Sequence, residues 1–230
     1  MGGIPPSEVV SPDAGAPLTP VRERAAALVE RFPEAREALE FYAAIADFTG
    51  DWEELRAAVA AKGPALLRDL AARITEGELH EAIDRYLQGD DRESPASFFG
   101  RIMLCRRRPR VAARYSNRCP ECGESPQCGC FRPEAQGTAF FLVCSLCATE
   151  WSFPRAQCPA CGQPAVFYAS ERMDHIQTLV CEQCSRYLHV IHLGKDPAAV
   201  PLVDEIAALA IDVWALERGL RKIQPNLVGI

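Results

Sequence analysis

The sequence predicts an α+β multidomain chain: an N-terminal all-α helical bundle, two tandem rubredoxin-like or zinc-ribbon modules, and a C-terminal helix. Three observations predict it. Residues 20–105 are rich in Ala and Leu at helical spacing. Ten of the 11 cysteines fall between Cys119 and Cys184, and eight of those form four Cys-x-x-Cys motifs. The expected parts are a flexible tail at 1–19, a helical domain at 20–118, a first four-cysteine ribbon at 119–157, a second at 158–194, and a C-terminal helix and tail at 195–230.

The 230 residues are 48% hydrophobic and 24% charged, which excludes disorder over most of the chain. Residues 1–19 are rich in Pro, Gly, Ser and Ala, the composition of a mobile tail. They show no basic start and no apolar stretch, so a signal peptide is not expected and a cytoplasmic protein is the default. Pro20, Pro33, Pro64 and Pro95 each precede a helix-like run, as suits a first turn. Four apolar stripes follow: Trp52, Leu55 and Val59; Leu66, Leu67, Leu70 and Ile74; Leu79, Ile83, Tyr86 and Leu87; Phe98, Phe99, Ile102 and Met103. Each is one face that needs a partner, which gives a bundle of five or six short helices. After the basic run from Arg106 to Arg110 this periodicity stops. Short β-like runs at 139–143, 166–168 and 187–191 are separated by turn residues. Residues 201–220 read as one helix with Leu202, Ile206, Leu209, Val213 and Leu216 on its buried side. Asp204, Glu205 and Asp212 are expected to lie away from most of that side.

The motifs are Cys119-Pro-Glu-Cys122, Cys144-Ser-Leu-Cys147, Cys158-Pro-Ala-Cys161 and Cys181-Glu-Gln-Cys184. The first and third are offset by 39 residues and the second and fourth by 37, so one unit is used twice. A Cys-x-x-Cys turn points two sulfurs the same way, and two such turns make a tetrahedral four-sulfur cage. In the first and third motifs Pro fixes φ within the turn, and Gly123 or Gly162 can take positive φ after it. The expected metal ligands are Cys119, Cys122, Cys144, Cys147, Cys158, Cys161, Cys181 and Cys184, holding two metal ions, zinc or iron. The duplication favours sequential pairing of the motifs over a cross-braced arrangement. Each cage is full, whereas a catalytic zinc keeps an open position, so no catalytic residue is assigned and no enzyme is expected.

Composition excludes other classes. The longest apolar runs, such as 206–211, are six residues, and a membrane helix needs about 20, so no membrane insertion is expected. Net charge is −6, divided as −2 over residues 1–118 and −4 over 119–230. An acidic ribbon half argues against a nucleic-acid partner. Cys128 and Cys130 could supply a spare ligand pair, but two small buried strand residues are the simpler reading. Cys105 is read as core, His189 and His192 as strand surface, and Trp151 as a cover over a metal site. The run from Arg106 to Arg110 suits a solvated helix end or a bridge to the acidic ribbon half.

The order of motifs is itself distinctive. Cys119-Pro-x-Cys-Gly123 is followed by Gln136-Gly137, by Cys144-Ser-Leu-Cys-Ala-Thr-Glu-Trp151 and by Cys158-x-x-Cys161. Then come Cys181-x-x-Cys-x-x-Tyr-Leu188, Lys195-Asp-Pro197 and an acidic-apolar final helix. Over residues 119–225 this resembles the FdhE family of formate dehydrogenase accessory proteins. The resemblance implies a helical region followed by two rubredoxin-like modules in a cytoplasmic chaperone of enzyme maturation. It implies contact with the molybdenum- or tungsten-containing catalytic subunit of formate dehydrogenase, and makes the eight motif cysteines the functional residues. A homodimer is left open. The alternatives are a rubredoxin-like electron carrier and, less favoured by charge, a nucleic-acid-binding zinc ribbon protein.

Overall fold

The computed structural model describes residues 9–10, 19–46, 48, 50–88, 95–104, 117–135 and 137–226. Cys105 and the basic run from Arg106 to Arg110 lie outside them, as does most of the expected tail.

Among the described residues six helices come before the cysteine-rich half: α1 (Thr19–Arg31), α2 (Arg36–Ile45), α3 (Trp52–Lys62), α4 (Ala65–Ala71), α5 (Glu76–Gln88) and α6 (Pro95–Leu104). Local chemistry sets their starts. Asp51 accepts from the Glu54 amide at 3.0 Å, and Glu54 accepts from the Asp51 amide at 3.1 Å, a reciprocal cap on α3. Thr75 and Glu78 repeat the arrangement ahead of α5, at 2.8 and 3.3 Å. These amide and hydroxyl bonds to its carboxylate hold Glu78 below the usual range. The apolar stripes meet inside: Trp52 sits edge-on to Phe99 at 5.2 Å, and Phe99 edge-on to Phe98 at 5.1 Å. Leu66 and Leu87 depart from their expected stripes and are exposed, because Leu67 and Tyr86 take the inward positions beside them.

Among the described residues the strands form a single sheet. Its strands are β1 (Val9–Val10), β2 (Pro126–Glu134), β3 (Gly137–Cys144), β4 (Glu150–Ser152), β5 (Val166–Ala169), β6 (Ile176–Cys181), β7 (Arg186–His192) and β8 (Arg221–Lys222). Their order is β1-β4-β3-β2-β7-β6-β5, with β8 also on β7. Each repeat unit is an antiparallel meander, β2-β3-β4 or β5-β6-β7. The two meanders join in parallel, Gly129 opposite Val190 and Phe131 opposite His192. Since β2 corresponds to β5 and β4 to β7, the units stand head to tail. Val9–Val10, inside the expected tail, pairs with Trp151 and Glu150 at the sheet's edge.

Both faces of this sheet are covered. Phe141, Val143, Ile176 and Ile191 join one core with the helical domain, Cys128 and Cys130. Phe140, Leu142, Leu188 and Val190 join a second core with six of the eight motif cysteines and Trp151. Two-sided burial explains the unbroken apolar run at 139–143, where a one-sided strand would alternate.

The C-terminal segment corrects the single-helix expectation. It is two helices, α7 (Pro201–Ala207) and α8 (Leu209–Glu217), broken at Ala208. The break resets the inward face. Asp212 and Ala215 of α8 point in, whereas Val213 and Leu216 are exposed. Asp204, Glu205 and Asp212, expected away from the core, are fully buried in it.

Candidate metal centres

All four Cys-x-x-Cys turns share one backbone shape. In the first three the residue after the second cysteine donates its amide to the first cysteine's carbonyl, Gly123 to Cys119 at 2.9 Å, Ala148 to Cys144 at 3.2 Å and Gly162 to Cys158 at 2.8 Å. That residue has positive φ each time: 77° at Gly123, 57° at Ala148, 74° at Gly162 and 52° at Ser185. The turn frees inner amides for sulfur. Leu146 and Cys147 donate to Cys144 Sγ at 3.3 and 3.4 Å, and Ala160 donates to Cys158 Sγ at 3.4 Å.

The meanders bring the turns together in sequential pairs. Cys119, Cys122, Cys144 and Cys147 form one cluster, and Cys158, Cys161, Cys181 and Cys184 the other, with sulfurs within 4.8 Å of one another. Close pairs in the first lie at 3.4 Å (Cys122 and Cys144) and 3.5 Å (Cys119 and Cys147). In the second they lie at 3.6 Å (Cys161 and Cys181) and 3.7 Å (Cys158 and Cys184). A tetrahedron with metal–sulfur bonds of about 2.3 Å has edges of about 3.8 Å, so both clusters fit one soft cation at the centre. The sulfurs also perturb one another. Bonding to the Cys119 sulfur, the largest influence on each, pushes Cys122 and Cys144 up and holds Cys147 down.

The residues around the first cluster have defined tasks. Thr149 Oγ1 lies 3.1 Å from Cys147 Sγ. Glu150 takes two bonds from Arg132, at 2.6 and 2.7 Å. Trp151 is buried in the core that holds the first-cluster cysteines. Cys128 and Cys130 belong to neither cluster and lie fully buried in β2. Burial pushes both thiols up, with Glu205 and Glu150 as charged neighbours, so they are poor nucleophiles.

Two buried charge networks were missed from the sequence. In the first, Arg24 Nε of α1 donates to Asp204 of α7 at 2.9 Å, and Arg24 Nη2 to Asp196 at 2.7 Å. His175 Nε2 lies 2.8 Å from Asp204 Oδ1. His175, Asp196 and Asp204 are spaced as metal ligands are, but the Arg24 guanidinium already supplies the cation there. Lys195 donates to the Asp174 carbonyl at 2.8 Å, so the Lys195-Asp-Pro197 element anchors the loop after β7. In the second network Asp212 accepts from Tyr187 Oη at 2.8 Å and from Lys222 at 3.0 Å, and lies 2.6 Å from His189. Lys222 also donates to Glu205 at 2.5 Å. His189, expected on the strand surface, is therefore buried, and His192 is half-buried beside Gln177 at 2.9 Å. The only sequence signal was three carboxylates in a helix too apolar to be solvated.

Fold and clusters together define a class: a helical domain packed on one sheet built from two tandem four-cysteine ribbon modules. Residues 118–155 match the family model described as FdhE, central domain, and residues 156–228 that described as FdhE, C-terminal domain. Both domain models are matched in order and without a gap, so residues 118–228 carry the FdhE central and C-terminal domains. It is 35% identical over 120 residues to the Protein FdhE homolog of Aquifex aeolicus, covering 50% of this chain and 42% of that one. It is 34% identical over 119 residues to the homolog of Pseudomonas aeruginosa, covering 48% and 38%. The matched region thus spans about two fifths of these relatives. The crystal structure of the FdhE protein from Pseudomonas aeruginosa superposes with a TM-score of 0.68 over 97% of this chain and 98% of that one, at 20% identity, and shows the shared fold. Among the described residues no helix is long and apolar enough to cross a membrane.

Proposed function

We propose that this chain is a non-catalytic accessory factor for the maturation of active formate dehydrogenase, acting in the cytoplasm. Its eight motif cysteines hold two metal ions, zinc or iron, and the ribbon sheet they stabilise is the platform that binds the molybdenum- or tungsten-containing catalytic subunit. One observation carries the reading: two four-sulfur clusters, each complete, lie in one sheet within the FdhE domains. Four sulfurs leave no position for a substrate or water, so such ions hold shape or store charge and do not activate water. The acidic charge of residues 119–230 favours a protein partner over a nucleic acid.

A deletion strain tests this. Formate dehydrogenase activity is expected to fall while its polypeptide is still made, and the wild-type gene restores it. Cys119→Ser and Cys158→Ser are expected not to restore it. Full activity in the deletion strain refutes the reading.

A further inference from the structure

The two clusters are built alike but enclosed differently. In the first, Cys119 and Cys144 are 0% exposed, Cys147 2% and Cys122 8%. Leu146, Trp151 and Phe153 lie in the same core. In the second, Cys158 and Cys181 are sunk in the core at 2% and 1%, but Cys161 is exposed and Cys184 half-buried. Half of the second tetrahedron therefore faces outward. It faces a groove of about 470 Å³, whose walls include Cys161 and Cys184, Pro159 of the third turn, and Arg118 and Arg186. Arg118 bonds Ser125 at 2.5 Å and Arg186 bonds the Lys222 carbonyl at 3.1 Å, which fixes two positive charges at the groove.

A metal ion leaves a full thiolate tetrahedron only when an incoming ligand can reach it or displace one sulfur. At the second cluster the groove gives that access directly. At the first, access requires the sheet to open locally, and the rate is lowered by the population of the open form. The two arginines offset the net −2 charge that four thiolates leave around a divalent ion, so an anionic carboxylate or thiolate chelator can approach.

We propose that the second cluster is an exchange site for a soft divalent cation, reached through this groove by anionic ligands, and that the first is locked. This rests on the reading that both clusters hold metal, and the test separates the two. The full chain is loaded with zinc and its metal content measured; fewer than two equivalents sinks the metal reading before any rate is taken. Release to an anionic coloured chelator such as pyridylazoresorcinol is then followed. The expected result is two phases of one equivalent each, separated by about tenfold or more in rate. Iodoacetamide footprinting by peptide mass spectrometry assigns them: Cys161 and Cys184 label with the fast phase, and the first cluster stays protected. Ala160→Trp, at the groove wall and not a ligand, is expected to slow the fast phase several-fold and leave the slow one unchanged. A single phase, earlier labelling of the first cluster, or a fast phase indifferent to the tryptophan overturns the proposal.

Discussion

Ala148 and Ser185 occupy the turn position that Gly123 and Gly162 fill in the other two motifs, and all four have positive φ. A side chain there costs roughly 1–2 kcal/mol in backbone strain. A Cβ added at Gly123 or Gly162 meets nothing within 4 Å, so the strain is purely conformational. Gly123→Ala is therefore expected to lower stability by about 1 kcal/mol, and Ala148→Gly to raise it by a fraction of that, since glycine also frees the unfolded chain. Urea denaturation of the metal-loaded protein measures both; a stabilising Gly123→Ala contradicts the turn geometry. Gly129 is a different case. A Cβ on it would lie 2.5 Å from the Phe140 ring, so its requirement comes from packing. The glycines of the turns were legible in the sequence because a turn is local. The need at Gly129 was not, because Phe140 reaches it only across the β2–β3 register.

At the scale of elements, α8 shows how far a helical stripe can mislead. Leu209, Val213 and Leu216 form the more apolar face, yet Asp212 and Ala215 are the ones buried. The break at Ala208 turns the helix, and the sheet beneath supplies Tyr187, His189 and Lys222 to meet the carboxylate. Those partners come from β7 and β8, so one helix's periodicity carried no sign of them. Desolvation alone would push Asp212 up; the charges of His189 and Lys222 outweigh it and bring it from 3.8 down to about 2. A depressed carboxylate adds stability that is fully present above its unfolded value and lost as pH falls through the folded one. By this shift Asp212 contributes roughly 2 kcal/mol at neutral pH, and its share fades between about pH 4 and pH 2. Asp212→Asn should therefore be less stable than wild type by a margin that narrows as pH falls from about 4 towards 2. Chemical denaturation of both proteins across that range checks it; a margin that widens in acid contradicts the network. Lys222→Met should cost more, on the order of 3–5 kcal/mol, because it strands Glu205 and Asp212 without their buried cation.

For the whole molecule, the four turns, the helices before the cysteine-rich half and the strands at 139–143, 166–168 and 187–191 could be read from local pattern, and so could the twofold use of one ribbon unit. The union of the units could not. It depends on β2 pairing in parallel with β7, about sixty residues away, a contact for which neither strand carries a local mark. That union has a thermodynamic consequence. Two isolated ribbons beside a helical bundle would melt as separate parts. Here Phe141, Val143, Ile176 and Ile191 share one core with Leu28, Leu39, Phe41 and Phe99, and Arg24 of α1 is bonded to Asp204 of α7. Metal at either cluster would be linked to folding of the whole, because a ligand set assembled only in the folded state adds its binding free energy to folding. Chelation of both ions is therefore expected to lower the melting temperature of the helical and sheet signals together. Far-ultraviolet circular dichroism, which follows the helices, and tryptophan fluorescence, to which buried Trp151 beside the first cluster contributes, should give coincident transitions before and after metal removal. Tryptophan fluorescence that shifts on chelation while the helical transition stays in place would mean that the sheet unravels alone, and that the shared core does not couple the two halves.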